Sequence, residues 1–159
     1  MRKIILSLFL IANLACFAQS KSASDVTSIK FYGIDYSMAK VYGAAETPGE
    51  FKVAFDGINL LFITEAKKYN LEKFLGISVT EISLDAVNEV NNKIKPDDLR
   101  TTNQNYTLND QQIAHAVQAL PIEKEPGVGM VIIAKLLNKA ANNGSYQIVF
   151  FNTDTKEII

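Results

Sequence analysis

Cysteine is almost missing from this chain of 159 residues: Cys16 is the only one. There is also a single histidine, His115, and the formal charge is nearly balanced at -1. No apolar run reaches the ~20 residues that a membrane-spanning helix needs. Each shortage excludes something. A zinc site needs several nitrogen or sulfur ligands, which one histidine cannot supply. A chain without a basic excess lacks the electrostatic footprint of a nucleic-acid binder. What the chain does have is 48% hydrophobic residues, enough for a packed core, and a length that suits one domain.

The apolar residues begin at the start. Arg2 and Lys3 precede the greasy stretch Ile4 to Ala12, and Cys16-Phe17-Ala18 supplies a small-residue exit. These are the three parts of a secretory signal peptide over residues 1–18, cut before Gln19. Lipoprotein processing at Cys16 competes with that cut; Leu14-Ala15-Cys16 fits it, whereas Asn13 stands where a branched aliphatic is preferred. The protein is therefore expected to be exported, to the periplasm or the medium, with lipid anchoring as the alternative. Without residues 1–18 the chain has 141 residues and a net charge of -3. That body holds no cysteine, so it has no disulfide, no thiolate nucleophile and no cysteine metal site. Packing alone must hold it.

A polar leader over residues 19–27 precedes one expected domain over residues 28–159. Branched and aromatic residues predict a strand from Ser28 to Tyr36 with Gly33 as a bulge, and a second short strand within Met38 to Tyr42 is left open. Thr47-Pro48-Gly49-Glu50 is a capping box with proline in the first turn. The helix behind it sets Phe51, Phe55, Ile58, Phe62, Ala66 and Tyr69 on one face and Lys52, Asp56, Asn59 and Lys67 on the other. Asn70 starts a short turn closed by Gly76. Ile77 to Leu84 is a further strand, and Asp85 opens a helix that ends before Pro96. Lys95 to Tyr106 is polar loop, with a possible edge strand near Leu99 to Thr102. Another capped helix starts at Thr107 to Asp110, buries Ile113, Val117 and Leu120, and stops at Pro121. Val128 to Leu137 and Tyr146 to Phe151 are strands joined through Asn143-Gly144, the strongest two-residue hairpin signal. Lys156 to Ile159 begins a third strand, which would leave a bare edge if the domain ended there. A longer natural domain is expected on that ground. The fold class is α/β of the α+β kind: a mixed sheet with an antiparallel C-terminal meander, flanked by helices.

Chemistry-bearing residues are few. His115 lies about 200° round its helix from Ile113 and so points to solvent. Gly127-Val128-Gly129 precedes a strand and lacks the third glycine of a dinucleotide fingerprint, so it reads as a flexible lead-in. Glu81, Asp85 and Glu89, and the pair Asp97-Asp98, lack the spacing of a calcium loop and read as solvated surface. Asp35 is the exception, a carboxylate in an apolar strand with Tyr32 and Tyr36 beside it. Either these three frame a small ligand site, or Asp35 turns to solvent or caps a turn with Ser37. No catalytic residue, metal ligand or cofactor is assigned.

Phe31-Tyr32-Gly33-Ile34-Asp35-Tyr36-Ser37, with Gly127-Val128-Gly129-Met130-Val131-Ile132-Ile133 and Val149-Phe150-Phe151-Asn152 far downstream, resembles a family of uncharacterised exported proteins from Bacteroidetes bacteria. Phe17-Ala18-Gln19 is similar to the exits of their signal peptides. The resemblance implies export and a chain that continues into a glycine-rich segment; it implies no catalytic residue. The expected function is a non-catalytic binding or structural domain of the cell envelope, whose partner is an envelope protein or a small ligand. The alternatives are a periplasmic carboxylate-dependent hydrolase or transferase, and an assembly protein that pairs through an exposed sheet edge.

Overall fold

A computed structural model describes residues 22–159. The expected signal peptide, with Cys16, lies outside the described residues. Strand β1 (Ser28–Asp35) is followed by β2 (Lys40–Tyr42), α1 (Pro48–Thr64), α2 (Leu71–Leu75), β3 (Ser78–Ile82) and α3 (Asp85–Asn92). Then come β4 (Arg100–Thr101), α4 (Asp110–Ala119), β5 (Val128–Asn138) and β6 (Asn143–Asn152). The result is an α/β sheet flanked by helices. No helix among the described residues is long and apolar enough to cross a membrane.

Strand β5 organises the sheet. β6 pairs antiparallel along its whole length, so β1 and β2 must share its other edge in tandem. Both run parallel to it: Asp35 sits beside Ile133 and Lys40 beside Leu136. Four residues lie between those two pairs on the first strand and only two on β5. The excess is taken up by a turn in which the Ala39 amide donates to the Tyr36 carbonyl at 2.9 Å. Outside this tandem strand, β3 pairs parallel with β1 and β4 pairs parallel with β2. All pairings except β5–β6 are thus parallel.

The predicted C-terminal meander does not form. Its third strand is reduced to a single bridge between Phe151 and Ile158, because the turn after β6 uses Asn152 to Glu157. The hairpin turn also differs from expectation. Lys139 to Asn142 make the connection, with Asn142 at φ 52°, and Asn143-Gly144 already belong to β6, opposite Asn138 and Leu137. Asn138, whose side chain accepts from the Ala141 amide at 2.9 Å, caps this four-residue loop, which ends just before the expected Asn143-Gly144 turn.

Helix α1 covers one face of the sheet, where Phe51, Phe55, Ile34, Tyr36 and Ala134 form a core. Helices α3 and α4 supply Val87, Ile113 and Val117 to a second core with Tyr32, Ile133 and Phe151. The capping box at Thr47 and the left-handed Gly76 after α2 are where the local patterns place them, whereas the start expected over Thr107 to Asp110 is capped by an Asn109–Gln112 box. Other expectations need correction. Val26, in the expected leader, is buried against Ile29 and Met130. α1 ends at Thr64, so Ala66 and Tyr69 lie beyond it, and Ile58 is exposed. Gly129 is no lead-in: it lies within β5 under the Phe151 ring, where a Cβ would come within 2.5 Å of Phe151 Cζ.

The largest correction is Asn59, expected on the outer face and found only 1% exposed. β3 leaves β1 after Phe31 and β4 begins again at Val41, so the edge of β1 between them has no neighbouring strand. Side chains fill the gap. Asn59 accepts from the Ile34 amide at 2.7 Å and donates to the Ile34 carbonyl at 2.9 Å. Asn91, from α3, accepts from the Tyr36 amide at 2.7 Å and donates to the same Ile34 carbonyl at 3.0 Å. Buried backbone groups must be paired, and here two asparagines stand in for a strand.

Candidate functional site

The expected ligand triad is split by the pleat. Tyr32 packs with Ile133 and Phe151 on the α4 side, whereas Tyr36 packs with Phe51 and Phe55 under α1. Asp35 is paired with Ile133 and only 2% exposed, so it does not turn to solvent; it accepts from the Ser37 amide at 2.7 Å and caps that turn. Burial pushes its carboxyl above the ordinary 3.8, only partly opposed by the bonds to Ser37. Folded Asp35 therefore holds its proton more tightly than the unfolded chain does. The cost of ionising it is absent below 3.8 and grows as pH rises through the raised folded value. Asp35→Asn keeps an acceptor for Ser37 and removes the charge. It is expected to melt higher than the parent at about pH 7, with the difference vanishing near pH 3, as thermal scans across pH would show.

The other candidates disperse. His115 is exposed on α4. Glu81 pairs with Lys30 at 3.1 Å, and Lys30 also reaches Glu125 at 2.9 Å, so Glu125 first and Glu81 after it hold the ammonium above its usual range. Among the described residues no group of three or more His, Cys, Asp or Glu could hold a metal.

A different site comes from packing. α1 leans over the turn end of the β5–β6 hairpin and leaves a cleft of about 440 Å³. Val41, Phe51, Phe55, Ile58 and Leu137 form its apolar walls, and Asn138, Asn142, Asn143 and Tyr146 supply polar edges. Three charges stand at the mouth, and each is engaged. Glu46 meets Lys139 at 2.8 Å, and this partner holds its carboxyl below the usual range. The Glu50 carboxylate accepts from the Thr47 amide at 2.7 Å and the Thr47 hydroxyl at 2.8 Å, and those bonds depress it likewise. The cleft is thus apolar inside and electrically satisfied at the rim.

Tyr36 lies directly behind it. Its ring stacks on Phe55 with centroids 3.9 Å apart and planes 3° from parallel. Its hydroxyl is buried without a hydrogen-bond partner among the described residues. Tyr36 follows Asp35, which pairs with Ile133, and the next residue on β5, Ala134, pairs with Tyr146. Small Ala134 therefore separates the two phenols on the α1 face. Burial, with a contribution from Tyr146, pushes the Tyr36 phenol far above its ordinary range, so it stays a neutral donor.

Of the expected site residues, only Tyr36 adjoins this cleft. Tyr146, Lys139 and Glu46 went unread because no local pattern joins residues so far apart in the chain; the Thr47–Glu50 box alone was visible. No known protein family, curated protein or solved structure matches the chain.

Proposed function

We propose that this chain is an exported envelope domain with a binding role and no catalysis, and that the α1–hairpin cleft is its binding site. The observation that carries this reading is an apolar recess bordered by three asparagine amides and the Tyr146 phenol, with the unpartnered Tyr36 hydroxyl behind its wall. Ligand sites are concave and mostly apolar, with a few polar groups that set orientation, and they span roughly 300–1,000 Å³. At about 440 Å³ this cleft suits a small ligand. Because the mouth charges already neutralise one another or cap α1, the ligand is a neutral amphipathic molecule, an apolar ring or chain bearing hydroxyl or amide groups. Asp35, the residue a carboxylate-dependent enzyme would use, is not among the residues lining the cleft.

The test fills the recess. Ala54 lines it from an exposed position on α1, so Ala54→Trp adds bulk there without disturbing the core. A panel of neutral sugars, nucleosides and aromatic alcohols is assayed by thermal shift and calorimetry on the parent and on the variant. The expected result is a compound that raises the melting temperature of the parent only. The reading fails if no compound binds, or if Ala54→Trp binds as well as the parent.

A further inference from the structure

From Asn143 to Val149, strand β6 presents an edge without the usual protection. It is ten residues long, and Asn143-Gly-Ser-Tyr-Gln-Ile-Val-Phe-Phe-Asn152 contains no charge and no proline. Monomers blunt such edges with lysine, proline, bulges or short strands. Here the one register shift of the hairpin falls between Ala134 and Leu136, on the other strand. The chain covers only the C-terminal end of the edge. The Ile159 amide donates to the Phe150 carbonyl, and the Asn152 amide to the Glu157 carbonyl, both at 2.9 Å. Those two bonds show which residues face outward. Antiparallel ladders alternate, so if residues 150 and 152 point their backbone groups away from β5, then residues 144, 146 and 148 do the same. Nothing among the described residues pairs with them.

We propose that this edge pairs with the same edge of a second copy of this chain, antiparallel across a twofold axis centred on Tyr146. The free stretch suits a second copy, because its outward-facing residues 144, 146 and 148 are symmetric about Tyr146 and none is charged. A twofold sets every edge residue against itself or its symmetry mate, so a charge there meets its like; an edge without charges is compatible with itself. Hydrogen bonding selects the register. Centred on Tyr146, each outward-facing residue meets another: Tyr146 faces Tyr146 of the second copy, and Ile148 faces Gly144 of the second copy. A twofold on Gln147 would set Gly144 against Phe150, whose carbonyl Ile159 already occupies, and one on Ser145 would set Ile148 against Asn142 outside β6. Only the Tyr146 centre pairs all three free outward residues. Side chains agree with this register. Tyr146 and Ile148 are 44% and 39% exposed, and both point to the α1 face, where the second copy would cover them. This inference goes beyond the cleft and stands without it.

Sedimentation of the purified protein at about 50 µM should report a dimer. Ile148→Pro removes an outward N–H that β5 does not use, so it should give a monomer with an unchanged circular dichroism spectrum. If that variant fails to fold, Tyr146→Lys serves instead, because it places two ammonium groups opposite each other. The register is read by oxidation in a Cys16→Ser background. Tyr146→Cys should crosslink two copies, since facing residues of a bonded antiparallel pair lie about 5.5 Å apart and within disulfide reach. Gln147→Cys should not. A monomeric parent, a dimer that survives both edge variants, or a crosslink through position 147 alone overturns the proposal.

Discussion

Gly33→Ala is expected to destabilise the fold by about 2–6 kcal/mol. Gly33 holds φ at 98°, a region that side chains rarely tolerate. A Cβ there would lie 2.8 Å from Leu84 Cδ2, 2.9 Å from Val87 Cγ2 and 3.0 Å from Asn59 Oδ1. The backbone strain costs about 1–3 kcal/mol, and forcing a methyl into a filled core costs about 1–3 more. Together these consume much of the ~5–15 kcal/mol that holds a typical domain. The same bulge shifts the β1–β5 register between Phe31 and Ile34, so relaxing it would also disturb the sheet. Gly57→Ala is the control. It sits in α1 with open space around it, and is expected to stabilise by about 0.5–1 kcal/mol. Urea midpoints decide the matter: equal midpoints for Gly33→Ala and the parent would show that the bulge is not needed.

Asn59→Leu and Asn91→Leu test how the open edge of β1 is closed. Asn59→Leu orphans the Ile34 amide, and Asn91→Leu orphans the Tyr36 amide. Each should cost about 1–3 kcal/mol, the usual penalty for a buried group left without a partner. The double variant should cost more than the sum. Both side chains donate to the Ile34 carbonyl, so either asparagine alone still satisfies it and only the double change strands it. The expected excess is about 1 kcal/mol or more in a double-mutant cycle by chemical denaturation. Strict additivity would mean that the shared carbonyl finds another partner and that the asparagines act separately.

Asn59 also shows where reading a sequence stops short. Its spacing from Phe51 and Phe55, in steps of four, sets it on the buried face. Its polarity argued for the outer one, and what tipped the balance was a stretch of β1 that no strand covers. That stretch exists only because β3 ends at Ile82 and β4 resumes at Arg100, a fact of sheet assembly that no window of the chain records. The hairpin turn is a milder case. Asn143-Gly144 has the right chemistry for a tight turn, yet Asn142 takes the positive φ and Asn138 caps the loop, so the pair is drawn into β6. Capping at Thr47 and Asn70 was legible, because each cap is completed within three residues.

The amino-acid order alone pointed to most of the helices and strands up to β6, the Thr47 and Asn70 caps, the Gly33 bulge and the helix-flanked α/β class, since hydrophobic period and short-range hydrogen bonding act over a few residues. It also pointed to a third C-terminal strand that does not form. Only the folded chain decided that two asparagines replace a strand and that α1 and the hairpin enclose a cleft. Those features join residues from about 25 to about 100 positions apart, and contacts at that range depend on which edges and faces other elements have already occupied.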